Sequence, residues 1–211
     1  MSTASTPRVQ DDRVTRPYHH GHLAQALVAA GTELARESGP DGVVLRVATR
    51  RVGVSATAAY RHFADREALL LAVSGHALDQ LAGAMEDAAA LVPARPGGRS
   101  RAVARLKATG RAYVGFALAE PGLFRTAFAC PVPDPGVDPV PGRAFGILAA
   151  ALDGLVTSGA LPLQRRPGAE VAAWSAVHGL SLLLLDGLLL PAGADPTPLV
   201  EQTLQMVLAG L

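Results

Sequence analysis

The hydrophobic positions of this chain repeat with the period of an α-helix over most of its length. In the stretch 22–38, apolar side chains step along the sequence by four, three and four residues, which places them on one face of a helix. A longer stripe of the same kind runs through 66–90, where Asp65 occupies the position of an N-cap. Since β-branched and aromatic residues rarely alternate with polar ones, the pattern favours an all-α protein of eight or nine helices. Further helices are predicted over 101–119, 123–129, 143–158, 170–190 and 198–211.

Stretches rich in glycine and proline break this pattern. Gly-Pro-Asp-Gly at 39–42 ends the first helix, and five prolines between residues 130 and 142 exclude regular structure and indicate a mobile loop. Residues 1–17 combine Ser, Thr, Pro and mixed charges without an apolar period, which predicts a disordered arm. The expected organisation is therefore this arm, a small helical domain at 18–66 and a larger one at 67–211.

Two short helical segments between residues 44 and 63 flank a break at Gly53. Glycine tolerates the backbone angles that a tight turn requires. Ser55 can cap the second segment by accepting a hydrogen bond from a free N–H in its first turn. This arrangement is typical of a helix-turn-helix, whose second helix lies in the major groove of DNA.

Positive charge is concentrated at the same motif. Five arginines and one aspartate lie in the stretch 43–66, which therefore carries a formal charge of +4 in a chain whose net charge is +1. A local basic patch on a nearly neutral protein suits specific DNA binding that leaves other surfaces free. The second helix adds hydroxyl, guanidinium and imidazole groups of the kind that contact phosphates and base edges, namely Thr57, Tyr60, Arg61 and His62.

The order and spacing of these residues resemble the TetR-type transcriptional regulators. Three runs carry the resemblance: Gly53-Val54-Ser55, Tyr60-Arg61-His62-Phe63 and Arg66-Glu67-Ala68-Leu69-Leu70. Pro17-Tyr18-His19-His20-Gly21 and the later Trp174 with His178-Gly179 resemble one branch of that family. The resemblance implies an N-terminal three-helix helix-turn-helix domain for DNA binding, followed by a C-terminal helical bundle for ligand binding and dimerisation.

In that family, the second helix of the motif and its surroundings contact DNA. The positions of this chain that match are Arg46, Ser55, Ala56, Thr57, Tyr60, Arg61, His62 and Arg66. Phe63 is expected in the core, where it anchors the motif. The motif departs from the family pattern at Val44, at Ala48-Thr49 and at Ala59, and Val44 lacks a side-chain oxygen that could cap the first helix.

Trp174 and His178 lie four residues apart and therefore share one face of a helix. Two interpretations are open. The pair forms a polar-tipped wall of a ligand cavity, or His178 is a buried, hydrogen-bonded histidine packed beside a core tryptophan. Small molecules are usually held in apolar cavities with a few polar groups. Family and composition together therefore predict an effector site at Tyr113, Phe116, Phe124, Phe128, Trp174 and His178.

The remaining residues predict no further chemistry. Near His19, His20 and His22 there is no cysteine or acidic partner for a four-ligand zinc site, so neither a metal nor another cofactor is expected. No phosphate loop, catalytic triad spacing or paired carboxylates occur, and Cys130 has no second cysteine, so we expect no enzymatic activity. The polar N-terminus lacks the apolar core of a signal peptide, and the apolar stretch 176–190 is shorter than the roughly 20 residues that span a bilayer. We expect a cytoplasmic protein, nucleoid-associated when bound to DNA, without membrane contact.

The function that these observations favour is a sequence-specific, ligand-responsive repressor. It would bind a palindromic operator as a homodimer, because paired motifs read half-sites about 34–36 Å apart, and a small molecule would release it. The helix at 170–190 is apolar on nearly every side, which indicates that it forms the dimer interface together with the last helix. Two alternatives are an architectural DNA-binding protein without a small-molecule ligand and an all-helical enzyme that uses His178 as an acid or base.

Overall fold

The computed structural model describes residues 20–94, 97–130, 142–191 and 193–211, and this part of the chain folds into nine α-helices without a β-strand. The prediction of an all-α protein is confirmed. The predicted arm at 1–17 and most of the proline-rich segment, at 131–141, lie outside the described residues. The helices are α1 (His20–Gly42), α2 (Leu45–Val52), α3 (Ala56–Tyr60), α4 (Arg66–Ala90), α5 (Arg99–Ala119), α6 (Pro121–Ala127), α7 (Gly142–Thr157), α8 (Ala169–Leu185) and α9 (Thr197–Gly210), with one turn of 3₁₀-helix at Leu163–Arg165.

The first hydrophobic core joins α1, α2 and α3 to one half of α4. Leu27 and Val43 are fully buried in it, together with Leu69 and Val73 from α4. Phe63 is also buried there, as expected for the residue that anchors the motif. Helix α1 bends at Gly39, whose φ of 66° is left-handed, and makes one further turn before it ends. The helix thus ends within the Gly-Pro-Asp-Gly segment, as predicted, with a kink at its first glycine.

A second region of core fills the space among α4, α5, α7, α8 and α9. Its buried residues include Leu81 and Met85 from the other half of α4, and Leu152 and Leu155 from α7. Helix α4 begins as predicted, because the Asp65 carboxylate accepts a hydrogen bond of 2.8 Å from the Ala68 N–H. One continuous helix thus contributes to both cores.

Helix α6 lies between the two cores and packs on α1 and α4. Leu123 is buried in the first core, whereas its neighbour Phe124 is buried in the second. The Ser74 hydroxyl of α4 donates a hydrogen bond of 2.9 Å to the Ala127 carbonyl at the end of α6. Gly122 brings the backbone of α6 so close to α1 that a Cβ atom would lie 2.2 Å from the Ala35 carbonyl oxygen.

The start of α6 and the end of α8 differ from the predicted boundaries for identifiable reasons. Helix α6 begins at Pro121 rather than at Leu123, because proline fits the first turn of a helix, where its missing N–H is not needed. The prediction of one helix over 170–190 was wrong at its end, since α8 stops at Leu185. Gly187 adopts a left-handed φ of 67°, and the N–H groups of Gly187 and Leu188 bond back to the carbonyls of Leu184 and Leu183.

By length and composition, α4 is the one described helix that could cross a membrane. The apolar stretch 176–190, which was compared above with the length of a membrane span, is not part of α4. Core helices of globular proteins meet the same two criteria, and the buried residues of α4 contact both cores.

We expect Gly122→Ala to lower the free energy of unfolding by about 1–3 kcal/mol, because the added methyl group must displace backbone rather than a flexible side chain. Urea unfolding at a fixed protein concentration measures this change. The matched control is Gly115→Ala on α5, where a Cβ would meet nothing within 4 Å. The control is expected to be neutral or to gain up to about 1 kcal/mol, and equal stabilities of the two variants would contradict the close contact.

Candidate functional site

The turn between α2 and α3 is closed by backbone hydrogen bonds. Gly53 adopts φ 74° and ψ 32°, and its N–H bonds to the Arg50 carbonyl at 3.3 Å. The Val54 N–H bonds to the Thr49 carbonyl at 3.1 Å, which satisfies carbonyls left free at the helix end. A residue with a Cβ would be strained at Gly53. This conformation therefore fixes the angle at which α3 leaves α2.

Helix α3 is short and is held by its cap and its buried face. The Ser55 hydroxyl accepts a hydrogen bond of 3.2 Å from the Ala58 N–H, as predicted. Ala59 is fully buried, and its carbonyl accepts hydrogen bonds from the N–H groups of His62 and Phe63 at 2.9 and 3.0 Å. The helix itself ends at Tyr60, so His62 lies in the turn that follows. Val44, at the start of α2, provides no side-chain cap.

Most of the predicted DNA-contacting residues face solvent. The exposed fraction of Tyr60 is 58%, which is unusual for an aromatic residue next to a core. His62 and Arg66 are partly buried. The six exposed members of the set are Arg46, Ser55, Ala56, Thr57, Tyr60 and Arg61.

The arginines of this region differ in what they contact. Arg51 donates two hydrogen bonds, of 3.0 and 2.6 Å, to Glu37, and this bonding lowers the pKa of the Glu37 carboxyl. Arg66 donates a hydrogen bond of 2.8 Å to the Pro40 carbonyl and lies 3.7 Å from Asp41, so it ties the start of α4 to the end of α1. Arg46 makes no hydrogen bond or ion pair within the described part of the chain.

Arg50 is a further candidate that the family pattern did not single out. It is exposed on α2, four residues after Arg46 and therefore on the same helical face, and no described residue pairs with it. The spacing alone could have indicated it, but the sequence does not show that the adjacent Arg51 is neutralised by Glu37. An exposed basic face without acidic partners attracts the phosphates of nucleic acids.

The predicted effector residues gather in the second core. The Tyr113 hydroxyl and the His178 Nδ1 are 2.8 Å apart, and the direction of this hydrogen bond depends on the tautomer of the histidine. Phe124 and Phe128 lie against the His178 ring, with centroid distances of 5.5 and 4.7 Å. Trp174 packs edge-on against Tyr113 at 5.0 Å. Phe116 is partly buried between the two cores.

Burial disfavours the charged form of both members of the polar pair. It raises the pKa of the Tyr113 hydroxyl far above its usual range and lowers the pKa of the His178 imidazole. The sequence left open whether His178 lines a cavity or is packed in the core. In the structure His178 is packed against aromatic rings and hydrogen-bonded to Tyr113. His178 lines none of the four cavities described among residues 85–211.

The cavity beside this cluster is small. It encloses about 30 Å³ and is lined by apolar side chains that include Tyr113, Trp174, Leu106 and Leu204. Sites for drug-sized ligands usually measure about 300–1,000 Å³. Phe124, Phe128 and His178 do not line it. A drug-sized effector would therefore fit beside Tyr113 and Trp174 only if the aromatic rings of the cluster moved apart as it binds.

Two family models match the chain. The model described as "Bacterial regulatory proteins, tetR family" matches residues 27–73, which include α2, α3 and the turn between them. The model described as "Tetracyclin repressor-like, C-terminal domain" matches residues 106–207. The chain belongs to the TetR family.

Solved structures share the fold of this chain. A protein with unknown function from Rhodococcus sp. RHA1 is 29% identical, with a TM-score of 0.69 over 93% of this chain and 98% of that one. A possible TetR family transcriptional regulator from Streptomyces coelicolor A3(2) is 22% identical, with a TM-score of 0.62 over 89% and 97%. A TetR family transcription regulator from Marinobacter aquaeolei VT8 is 19% identical, with a TM-score of 0.64 over 90% and 97%. The last two support the fold alone, and a search of curated proteins gave no match.

Membership of the TetR family confirms the predicted class of protein. TetR regulators carry a helix-turn-helix for DNA and a helical C-terminal domain, and they are generally not enzymes. Among the described residues, no three His, Cys, Asp or Glu side chains come together as metal ligands. The roles of the individual DNA- and effector-contacting residues stay predictions.

We expect the stability of this TetR protein to fall as the pH is lowered from about 7.5 to about 5.5. The unfolded chain binds a proton at His178 near the ordinary pKa of 6.5, whereas the folded protein resists protonation until a lower pH. Urea unfolding at both pH values measures the loss. The variant His178→Asn should lose less stability over this pH range, because the contribution of the His178 imidazole is absent.

Tyr113→Phe is the control, because burial rather than the hydroxyl lowers the pKa of His178. This variant should retain the dependence on pH. Carboxyl groups such as those of Glu170 and Glu201 have an ordinary pKa of 4.5, which the folded structure lowers further. Their protonation therefore changes the stability only below this pH range. An unchanged loss of stability in His178→Asn would contradict the assignment.

Proposed function

We propose that this TetR protein is a ligand-responsive, sequence-specific repressor that binds a palindromic operator as a homodimer. The observation that carries the proposal is the basic, unpaired face of α2 and α3. Several other arginines are engaged with acidic side chains, namely Arg51 of α2 and, outside the motif, Arg36, Arg66, Arg111, Arg125, Arg143 and Arg166. In the helix-turn-helix, Arg46, Arg50 and Arg61 have no partner within the described residues.

The predicted residues divide into two kinds of DNA contact. The short side chains of Ser55, Ala56 and Thr57 stand at the N-terminal end of α3, where a helix in the major groove meets the base edges. Tyr60 and Arg61, followed by His62, would contact phosphates, with Arg46 and Arg66 from the neighbouring helices. Phosphate contacts position the protein, and base contacts select the sequence.

The proposed dimer forms through α8 and α9. In the described structure these helices expose large apolar side chains, with exposed fractions of 64% for Val171, 41% for Leu183 and 68% for Met206. A groove of about 370 Å³ runs between them and is lined by small residues such as Ala172 and Ala176. Two copies of this surface can interdigitate around a twofold axis as a four-helix interface.

The effector would act by separating the rings of the second core. Phe124 belongs to that cluster, and the adjacent Leu123 is buried against the DNA-binding helices. A shift of α6 would therefore displace side chains in both cores. Helix α4 would carry the change toward α2 and α3 as a rigid rod. A coupling of roughly 3 kcal/mol would release the operator about 150-fold, and DNA would weaken effector binding by the same factor.

The proposal assigns residues 18–66 to the DNA-binding domain and 67–211 to the effector and dimerisation domain, in a cytoplasmic protein that joins the nucleoid when bound to DNA. The small cavity favours a second candidate, a DNA-binding protein without a small-molecule ligand. The two differ in whether any small molecule changes operator affinity.

Selection of bound sequences from a random DNA pool tests the proposal. We expect an inverted repeat whose half-sites lie about one helical turn or a small multiple of it apart. Arg46→Ala and Tyr60→Ala should both lose the enrichment. The control is Arg51→Gln, which removes the same charge from α2 but only disrupts the pair with Glu37, and it should retain the motif. Weak binding of every sequence would contradict sequence-specific repression.

Static light scattering tests the dimer. The wild-type chain of 21.7 kDa should give twice this mass at micromolar concentration, and Met206→Arg should give the monomer mass because it buries a charge at the interface. The control is Leu91→Arg, at the end of α4, where the leucine is 82% exposed. A dimer that persists in Met206→Arg would place the interface elsewhere.

A further inference from the structure

A second groove lies between α5 and α7, on residues to which neither the sequence nor the family assigns a role. It measures about 540 Å³ and opens to solvent. One wall of the groove is formed by α7 and the residue that follows it. The residues that line this wall share one helical face and lie at positions 150, 151, 154, 157 and 158. Ala150, Ala151 and Gly154 are small, so their side chains do not fill the groove. A Cβ at Gly154 would meet nothing within 4 Å.

The opposite wall carries two positive charges. Arg101 and Arg105 lie one turn apart on α5, and neither has an acidic partner within the described residues. Like charges at this spacing destabilise a helix. The Arg101 Nε is also the one buried side-chain nitrogen or oxygen in the described structure that lacks a hydrogen-bond partner. A buried charged donor without an acceptor is unfavourable.

The other polar groups of the groove do not relieve these charges. Thr157 donates its hydroxyl hydrogen to the Asp153 carbonyl at 2.9 Å, and Ser158 donates to the Leu155 carbonyl at 3.1 Å. The Asp153 carboxylate is engaged by Arg166 at 2.7 Å. The groove therefore offers two unpaired guanidinium groups beside a small apolar surface.

DNA is not the partner of these arginines. Helix α4 starts next to the helix-turn-helix and spans 25 residues, a length of about 37 Å at 1.5 Å per residue. The groove includes the start of α5, which follows the far end of α4 along the chain and where Arg99 donates to the Gly159 carbonyl after α7. Phosphates bound at α3 cannot reach it.

We propose that this groove binds a small organic anion with a carboxylate or phosphate end and an apolar body. Guanidinium groups bind both anions through paired, charge-assisted hydrogen bonds. The alanines and Gly154 would contact the apolar part, and the volume is typical of small-molecule sites. This site differs from the cavity beside Tyr113 and Trp174, and it does not depend on DNA binding.

Isothermal titration calorimetry without DNA tests the proposal with three probes: octanoate, octyl phosphate and the uncharged octanamide. We expect an anion to bind once per chain and octanamide to bind at least about tenfold more weakly, since the charged hydrogen bonds are lost. Gly154→Leu should abolish binding by filling the groove. Gly146→Leu, on the same helix and equally unobstructed, should not.

Charge-removing variants provide the second arm. Arg101→Gln and Arg105→Gln should each weaken binding of the anion about tenfold or more. Arg165→Gln, which removes a charge from outside the groove, should leave it unchanged. Without ligand, Arg105→Gln should not lower the melting temperature, because it relieves repulsion, whereas an arginine with a structural role would lower it. The proposal is overturned if neither anion binds, if octanamide binds as well, or if Gly154→Leu retains full affinity.

Discussion

Helix α4 has to satisfy two hydrophobic cores at once, and the rest of the molecule is arranged around that constraint. Leu69 and Val73 belong to one core, Leu81 and Met85 to the other, and no loop separates them. Helix α6 closes the same junction from the opposite side, with its backbone almost touching α1 at Gly122. Close-packed elements of this kind respond to strain by shifting as rigid bodies rather than by deforming. We therefore expect a change in one core to be transmitted to the other.

The pairing of arginine side chains distinguishes the two proposed binding regions from the rest of the described surface. Pairs such as Arg143 with Glu86 and Arg125 with Asp186 join helices that are distant in sequence. Exposed pairs of this kind contribute little stability individually, but they leave few charges free. Within the described residues, the arginines that have neither an ion pair nor a hydrogen bond fall in two clusters, one on α2 and at the end of α3 and the other at Arg101 and Arg105 on α5. Net charge, at +1, reveals neither cluster.

Much of the fold could be predicted because its signals are local. The helical stripes, the Asp65 and Ser55 caps and the turn at Gly53 depend on residues within one or two turns of each other. Features that depend on tertiary contacts could not be predicted. Arg51 differs from its neighbours only through Glu37, fourteen residues away, and the groove beside Arg101 exists only because α7 packs against α5. The end of α8 was missed for another reason, since the run of leucines obscured the stop signal at Asp186-Gly187.

The packed ring cluster around His178 also sets the sensitivity of any effector response that works through it. An effector that must separate Phe124, Phe128 and Trp174 binds only the small fraction of molecules in which the rings are already apart, so its apparent affinity falls by that fraction. The edge-on ring contacts and the hydrogen bond between Tyr113 and His178 hold that fraction low. Their strength, rather than the shape of the binding site alone, would then fix the effector concentration at which the proposed repressor releases DNA. Substitutions within the cluster could retune that threshold without altering which molecule is recognised.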